Sequence, residues 1–157
     1  MKRIVRFLLI TIGICAWQNS HAQIIPDSIE HIDSLMLKSP RPILFLLTTD
    51  WCKYCALQKK QIRKNQKFKD LSDKLYFIEF DAERKDKITY QGKEYSFKPS
   101  GLNVGTHELA SALNKSSQIS YPSWILVDKE FNPIFKQNSL LKPDQINDLL
   151  DAIAYSL

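Results

Sequence analysis

Apolar positions in this chain recur at two spacings, and the alternation between them predicts the order of elements. Ile29, Ile32, Leu35 and Met36 fall three and four residues apart, one face of a helix that Asp27 or Ser28 can cap and that Ser39-Pro40-Arg41-Pro42 ends. Residues 43–48 (ILFLLT) follow as an apolar run, the pattern of a strand covered on both faces. From about Cys52 to Lys69 the chain lacks Gly and Pro and is rich in Lys, Gln, Arg and Leu, which predicts a helix. Residues 75–80 (LYFIEF) return to β-branched and aromatic side chains and predict the next strand, with Asp81 at its end. Strand, helix and strand in this order predict a parallel pair joined by a crossover.

The middle of the chain is less regular. Residues 88–97 (ITYQGKEYSF) predict a small hairpin turning near Gln91-Gly92, and Lys98-Pro99-Ser100-Gly101 predicts a loop. Thr106 is a cap for a helix beginning at His107, with Leu109, Ala112 and Leu113 on its buried side and His107 toward solvent. After Tyr121-Pro122, a strand over Trp124 to Val127 and a second over Ile134 to Gln137 are close enough to pair antiparallel. Pro143 opens a last helix in which Ile146, Leu149, Leu150, Ile153 and Ala154 keep helical spacing. The sum is an α/β domain with a mixed sheet and no internal repeat.

Composition changes the picture at the N-terminus. Lys2, Arg3 and Arg6 precede the apolar residues 7–16 (FLLITIGICA), and Ser20 and Ala22 put small residues at −3 and −1 of a cleavage site. Residues 1–22 are therefore expected to be a secretory signal peptide, with residues 23–157 as one domain. The apolar stretch is shorter than the roughly 20 residues of a membrane span, although a retained anchor is an alternative. Ile14 before Cys15, where a small residue is usual, argues against a lipoprotein signal. Cleavage removes three of the 22 basic residues, leaving 19 against 17 acidic and a net charge near +2 instead of +5. Nucleic acid loses its electrostatic support, and no aromatic and basic signature replaces it. A periplasmic or secreted protein without a membrane anchor is expected.

Cys15 leaves with the signal, so Cys52 and Cys55 are the only cysteines of the mature chain, in an oxidising compartment. Residues three apart on a helix lie on one side, with Cβ atoms roughly 5–6 Å apart, and a modest adjustment brings two sulfurs into bonding geometry. Cys52 falls where strand gives way to helix, where unpaired N–H groups and the positive end of the helix dipole favour thiolate. Lys53 adds to that effect and Asp50 opposes it. Cys55 lies one turn further in and is expected to be the more buried, so Cys52 is the attacking sulfur and Cys55 the resolving one. Three other uses compete. A structural bridge is one, although so short a loop constrains the unfolded chain little. Zinc would need four ligands, and no second cysteine pair exists, while His31 and His107 are far apart in sequence. Two unconnected core cysteines are the third. The basic residues Lys59, Lys60, Arg63, Lys64, Lys67 and Lys69 are read as a solvated helix face.

Trp51-Cys52-Lys53-Tyr54-Cys55 after a buried strand resembles the active-site motif of the thioredoxin superfamily, and Tyr121-Pro122-Ser123-Trp124 before a strand resembles that family's cis-proline segment. The resemblance covers roughly residues 40–157 and is nearest to exported bacterial thioredoxin-like proteins with a WCxYC motif. It implies a thioredoxin-like fold, a mixed central sheet flanked by helices, with Cys52 and Cys55 catalytic. It also implies a cis Pro122, with Tyr121 and Trp51 beside it as substrate-binding residues. Expected partners are protein disulfide or dithiol substrates and a redox protein that recharges the pair. No metal or cofactor is expected beyond the Cys52–Cys55 disulfide itself.

The sequence also departs from thioredoxin. Leu46 stands six residues before Cys52, where thioredoxin has a buried Asp that assists proton transfer. Glu79 in the next strand is a possible substitute, although a solvent-facing carboxylate is the plainer reading. Lys53-Tyr54 replaces the usual Gly-Pro, so no redox potential carries over. The stretch from Asp81 to Pro122 is longer than thioredoxin's, which implies an insertion over about residues 87–118, expected to be a substrate or partner surface. The implied function is an extracytoplasmic thiol–disulfide oxidoreductase. The alternative is a redox-inert thioredoxin-fold module that holds a partner in the cis-proline groove and insertion.

Overall fold

Four strands, Tyr76–Asp81, Ile43–Thr48, Ser123–Val127 and Pro133–Gln137 in that spatial order, form one sheet with helices on both of its faces. The computed structural model describes residues 24–155, so the expected signal peptide lies outside the described residues. A 3-10 turn at Ile29–His31 leads into α1 (Ile32–Lys38), then β1 (Ile43–Thr48), α2 (Lys53–Lys64), α3 (Gln66–Asp70) and β2 (Tyr76–Asp81). Two hairpins follow, β3 (Ile88–Tyr90) with β4 (Lys93–Tyr95) and β5 (Phe97–Gly101) with β6 (Val104–His107). The chain closes with α4 (Glu108–Asn114), β7 (Ser123–Val127), β8 (Pro133–Gln137) and α5 (Pro143–Tyr155).

The unbroken apolar run of β1 has the reason anticipated from its pattern: all six residues are buried, and alternate ones serve different layers. Ile43, Phe45 and Leu47 pack with Ile32 and Met36 of α1, Ile78 and Phe80 of β2, and Leu109 of α4. Leu44 and Leu46 face the other way, toward Ile62, Phe68, Trp124 and the α5 residues Ile146, Leu150 and Ile153. β1 runs parallel to β2 and antiparallel to β7, with Leu47 opposite both Phe80 and Ser123 and Thr48 opposite Asp81. Each such fully buried aliphatic side chain contributes about 1.5–3 kcal/mol.

Several local expectations are corrected. The helix expected over residues 52–69 is two helices, because Asn65 leaves the helical conformation (φ −80°, ψ 116°) and its Oδ1 accepts from Phe68 N at 2.9 Å to cap α3. Asp27 does not cap a helix. It ties the incoming chain to β2, donating its N–H to Phe77 O at 2.6 Å and accepting from Phe77 N at 2.8 Å. Residues 98–101 are not loop. They belong to β5, where Pro99 opposes Gly105 beside a bulge, a position where the ladder tolerates a missing N–H. At Gly105 any Cβ would overlap Phe97 and the Lys98 carbonyl, so a glycine is needed for the two strands to close.

The cap of α4 is His107 and not Thr106, and His107 is fully buried instead of facing solvent. Its Nδ1 accepts from Leu109 N at 3.2 Å, which puts the proton on Nε2, and Nε2 donates to the Asp86 carbonyl at 3.0 Å. The ring also packs edge-on against Phe80, 5.3 Å between centroids. Protonating Nδ1 would set two donors against each other. Burial lowers the pKa of His107 below its ordinary value, and the Arg84 charge acts in the same direction, while the Asp86 carbonyl, Glu108 and Asp81 oppose it. A histidine that takes up its proton more readily when unfolded stabilises the fold above its unfolded pKa and loses that contribution as pH falls. Unfolding midpoints in urea are therefore expected to fall as pH drops from about 7 to 5, and His107→Asn, which can still cap the helix, is expected to remove much of that slope.

Candidate active site

β1 ends at Thr48, and the chain reaches Cys52 after one turn in which Cys52 N–H donates to Thr49 O at 3.2 Å. Cys52 is the N-cap of α2, in extended conformation, and its sulfur accepts from Cys55 N at 3.0 Å. A sulfur can take the place of a Ser or Asp cap oxygen here because the first-turn N–H groups lack partners of their own. Cys52 and Cys55 are joined as a disulfide, with Cα atoms 5.2 Å apart. Cys52 is 6% exposed and Cys55 1%, so the two sulfurs are inequivalent in the sense expected. Trp51 and Tyr54, in contrast, are each 66% exposed, and Leu57 on the next turn is also open to solvent.

β7 starts at Ser123, opposite Leu47, and this register brings Tyr121 and Pro122 to the end of the sheet where Cys52 sits. The Tyr121–Pro122 peptide is cis. Pro122 is buried, and the Tyr121 ring meets Trp51 edge-on with centroids 6.1 Å apart. Trp51 Nε1 donates to Glu83 Oε1 at 3.1 Å. The Tyr121 phenol is pushed up to about 12, first by burial and then by the carboxylates of Glu83 and Asp81. Trp51, Cys52, Cys55, Tyr121 and Pro122 therefore collect at one end of the sheet.

Behind the disulfide, Leu46 is fully buried between Glu79 on β2 and Trp124 on β7. Glu79 is half-buried and not simply solvent-facing, because Lys59 Nζ lies 3.1 Å from its Oε2. Lys59 is four residues after Cys55 and so shares its side of α2. Of the other basic residues on these helices, Lys67 pairs with Asp151 at 2.7 Å, while Lys60, Arg63 and Lys64 are solvated as expected. Among the described residues, no group of three or more His, Cys, Asp or Glu side chains is placed to hold a metal ion.

A model of the thioredoxin-like domain matches residues 31–154. The chain belongs to the thioredoxin-like family. Solved structures similar to it include a DsbH oxidoreductase (18% identity, 85% of this chain and 86% of that one, TM-score 0.56). A disulphide isomerase from Xylella fastidiosa Temecula1 is similar at 16% identity, over 90% and 98% of the two chains, with TM-score 0.54. Chloroplastic thioredoxin z is similar at 11% identity, over 85% and 96%, with TM-score 0.53. No curated protein matches the chain. At these identities the similarity is one of fold, and the sheet order and flanking helices described above are that thioredoxin-like fold.

Two contributors to this thioredoxin-like site escaped the sequence reading. Glu83 gave no signal, since it lies 32 residues from the Trp51 it bonds. Gln58 did leave a trace: it stands between Cys55 and Ile62 on the buried face of α2, where a polar residue needs partners. It has four. Its Oε1 accepts from Trp124 Nε1 at 3.2 Å and Leu141 N at 2.7 Å, and its Nε2 donates to Leu141 O at 3.2 Å and Gln61 Oε1 at 2.9 Å. One side chain thus locks α2 to the strand that follows Pro122. Gln58→Leu leaves Trp124 Nε1 and both backbone groups of Leu141 unpaired, and is expected to destabilise the protein by about 3 kcal/mol in urea titrations. Gln61→Ala, which removes only a partly exposed partner, is expected to cost less than about 0.5 kcal/mol.

Proposed function

We propose that this chain is an extracytoplasmic thiol–disulfide oxidoreductase that reduces or exchanges disulfides of protein substrates through Cys52 and Cys55. The observation that carries the reading is the position of the Cys52 sulfur at the start of α2, accepting the Cys55 N–H beside the cis Pro122. Once the bond is reduced, that donor and the helix dipole stabilise negative charge on Cys52 in preference to the more buried Cys55. The oxidoreductase and isomerase named among the structural neighbours agree in class.

In the reducing direction the Cys52 thiolate attacks one sulfur of the substrate disulfide, and the other substrate sulfur leaves as a thiolate and takes a proton. A mixed disulfide now joins Cys52 to the substrate. Cys55 loses its proton and attacks the Cys52 sulfur, which releases the second substrate thiolate and closes Cys52–Cys55. The substrate gains two electrons from the cysteine pair and two protons, one released by Cys55 and one from solvent, which had taken up the proton of Cys52. A dithiol partner protein must then return the two electrons to the Cys52–Cys55 disulfide. The same steps run backwards oxidise a substrate, and the relative potentials of substrate and partner set the direction. Tyr121 and Trp51, whose rings meet edge-on, are assigned to substrate binding. The location rests on residues 1–22.

Wild-type protein is expected to catalyse insulin reduction by a dithiol, and Cys52→Ser to fall to the rate of the dithiol alone. Cys55→Ala is expected to accumulate mixed disulfides visible on non-reducing gels. A redox-inert binding module would show no activity in wild type or variant. Exported protein is expected to begin at Gln23 by intact mass, and recovery of the full-length chain in the membrane fraction would refute the cleaved-signal reading.

A further inference from the structure

We propose that the rim of this site selects substrates in which a Lys or Arg flanks the reacting cysteine, through Trp51 and Tyr121 on one side and Asp81 and Glu83 on the other. The inference rests on the exchange reaction proposed above and names its substrate class. Because Thr48 pairs with Asp81 and Leu47 with Ser123, the ends of β1 and β2 and the start of β7 lie at one level. Asp81, the following Glu83, the Tyr121–Pro122 step and Trp51 therefore gather around Cys52. The contacts agree: Trp51 Nε1 bonds Glu83 Oε1, and the Trp51 and Tyr121 rings meet edge-on. Both carboxylates are also felt at the Tyr121 phenol.

What the carboxylates lack is a cation. Among the described residues, none of Asp50, Asp81 and Glu83 has a Lys or Arg within ion-pairing distance. Asp81 spends Oδ1 on the Glu83 N–H at 3.0 Å, and Glu83 spends Oε1 on Trp51, which leaves one oxygen of each without a donor among the described residues. The cations next in sequence are held elsewhere. Arg84 bonds Glu30 at 2.7 Å and Asp86 at 3.3 Å and lies over Phe80, Lys85 sits over the Phe97 ring at 3.2 Å, and Lys87 pairs with Glu94. Lys53 is exposed and is the one opposing charge within the motif.

An exposed aromatic face beside free carboxylates is complementary to a guanidinium or ammonium group. The ring attracts the charge through its quadrupole, the stem of the side chain covers apolar surface, and the carboxylate pairs with the head. Trp51, Tyr54 and Leu57 supply the apolar part of the same surface. A substrate with Asp or Glu at the same place meets like charge, so discrimination comes from repulsion as well as attraction.

The test uses mature protein and three peptide disulfides that differ only in the residue beside the cysteine: Lys, Gln or Glu. At low ionic strength, kcat/KM is expected to be about tenfold higher for the Lys peptide than for the Glu peptide. The ratio is expected to fall to about two in Glu83→Gln/Asp81→Asn and in about 1 M salt. Gln at position 83 keeps an acceptor for Trp51, so the rim stays assembled. A wild-type ratio near one, or a ratio unchanged in the double variant, overturns the proposal while leaving the exchange reaction standing. Anisotropy titrations with labelled peptides carrying Ser in place of Cys provide the independent arm. If no peptide undergoes exchange, the redox reading fails, and the Lys-to-Glu ratio of binding constants then decides the rim by the same criterion.

Discussion

β1 has a partner on each edge and a hydrophobic layer on each face, and the rest of the molecule is arranged around that strand. Its parallel neighbour β2 ends where it ends, and its antiparallel neighbour β7 begins there. Three chain segments therefore arrive at one edge with their side chains already staggered: the turn carrying Cys52, the step carrying Pro122, and the stretch from Asp81 to Glu83. No single local preference would bring them together. The register does, and a one-residue slip of β1 would turn both hydrophobic layers inside out. Six buried residues in a row thus fix the depth at which the cysteine pair sits as well as the stability of the sheet.

The strength of each local signal explains what was legible in the sequence. The β1 run, the spacing of α5 and the hairpin turn at Gln91-Gly92 are visible because burial on two faces, a 3.6-residue period and a left-handed turn each demand particular residues in sequence. The cysteine pair was legible for the same reason, since its geometry is local to one helical turn. His107 was misread because its burial depends on Phe80 and on the Asp86 carbonyl, neither of which is near it in sequence. Asn65 was missed because a polar residue in a helix-rich stretch looks neutral until its side chain turns back to cap the next helix. The carboxylate rim required knowledge of where two strands end at the same height.

The interior behind the disulfide is built differently from its rim. Leu46 makes the layer beneath the cysteines hydrocarbon, and Glu79, its neighbour on β2, is paired with Lys59. Among the described residues no Asp or Glu is fully buried, so a proton leaving Cys55 has no buried acid to receive it. Gln58 fills the polar role in that layer, but as a brace between α2, Trp124 and Leu141, with every bonding position occupied. Rigidity is thus assigned to the inner layer and charge to the outer one.

The two hairpins begin after Ala82 and end at His107, whose N–H donates to the Ala82 carbonyl at 2.7 Å, and the first of them packs back onto the core through Ile88 and Tyr90. Exit and entry are thus closed by a single hydrogen bond, and the intervening segment is a detour whose two ends already touch. The entropy of closing such a detour grows only with the logarithm of its length. The core consequently constrains chiefly the part of the detour that packs on it, Ile88 and Tyr90, and leaves the more exposed β4 and β5 freer in length and in what they display. In evolutionary terms that outer stretch is a cassette: a length of chain free to be enlarged, trimmed or rewritten while the strand ends that hold the cysteines stay where they are.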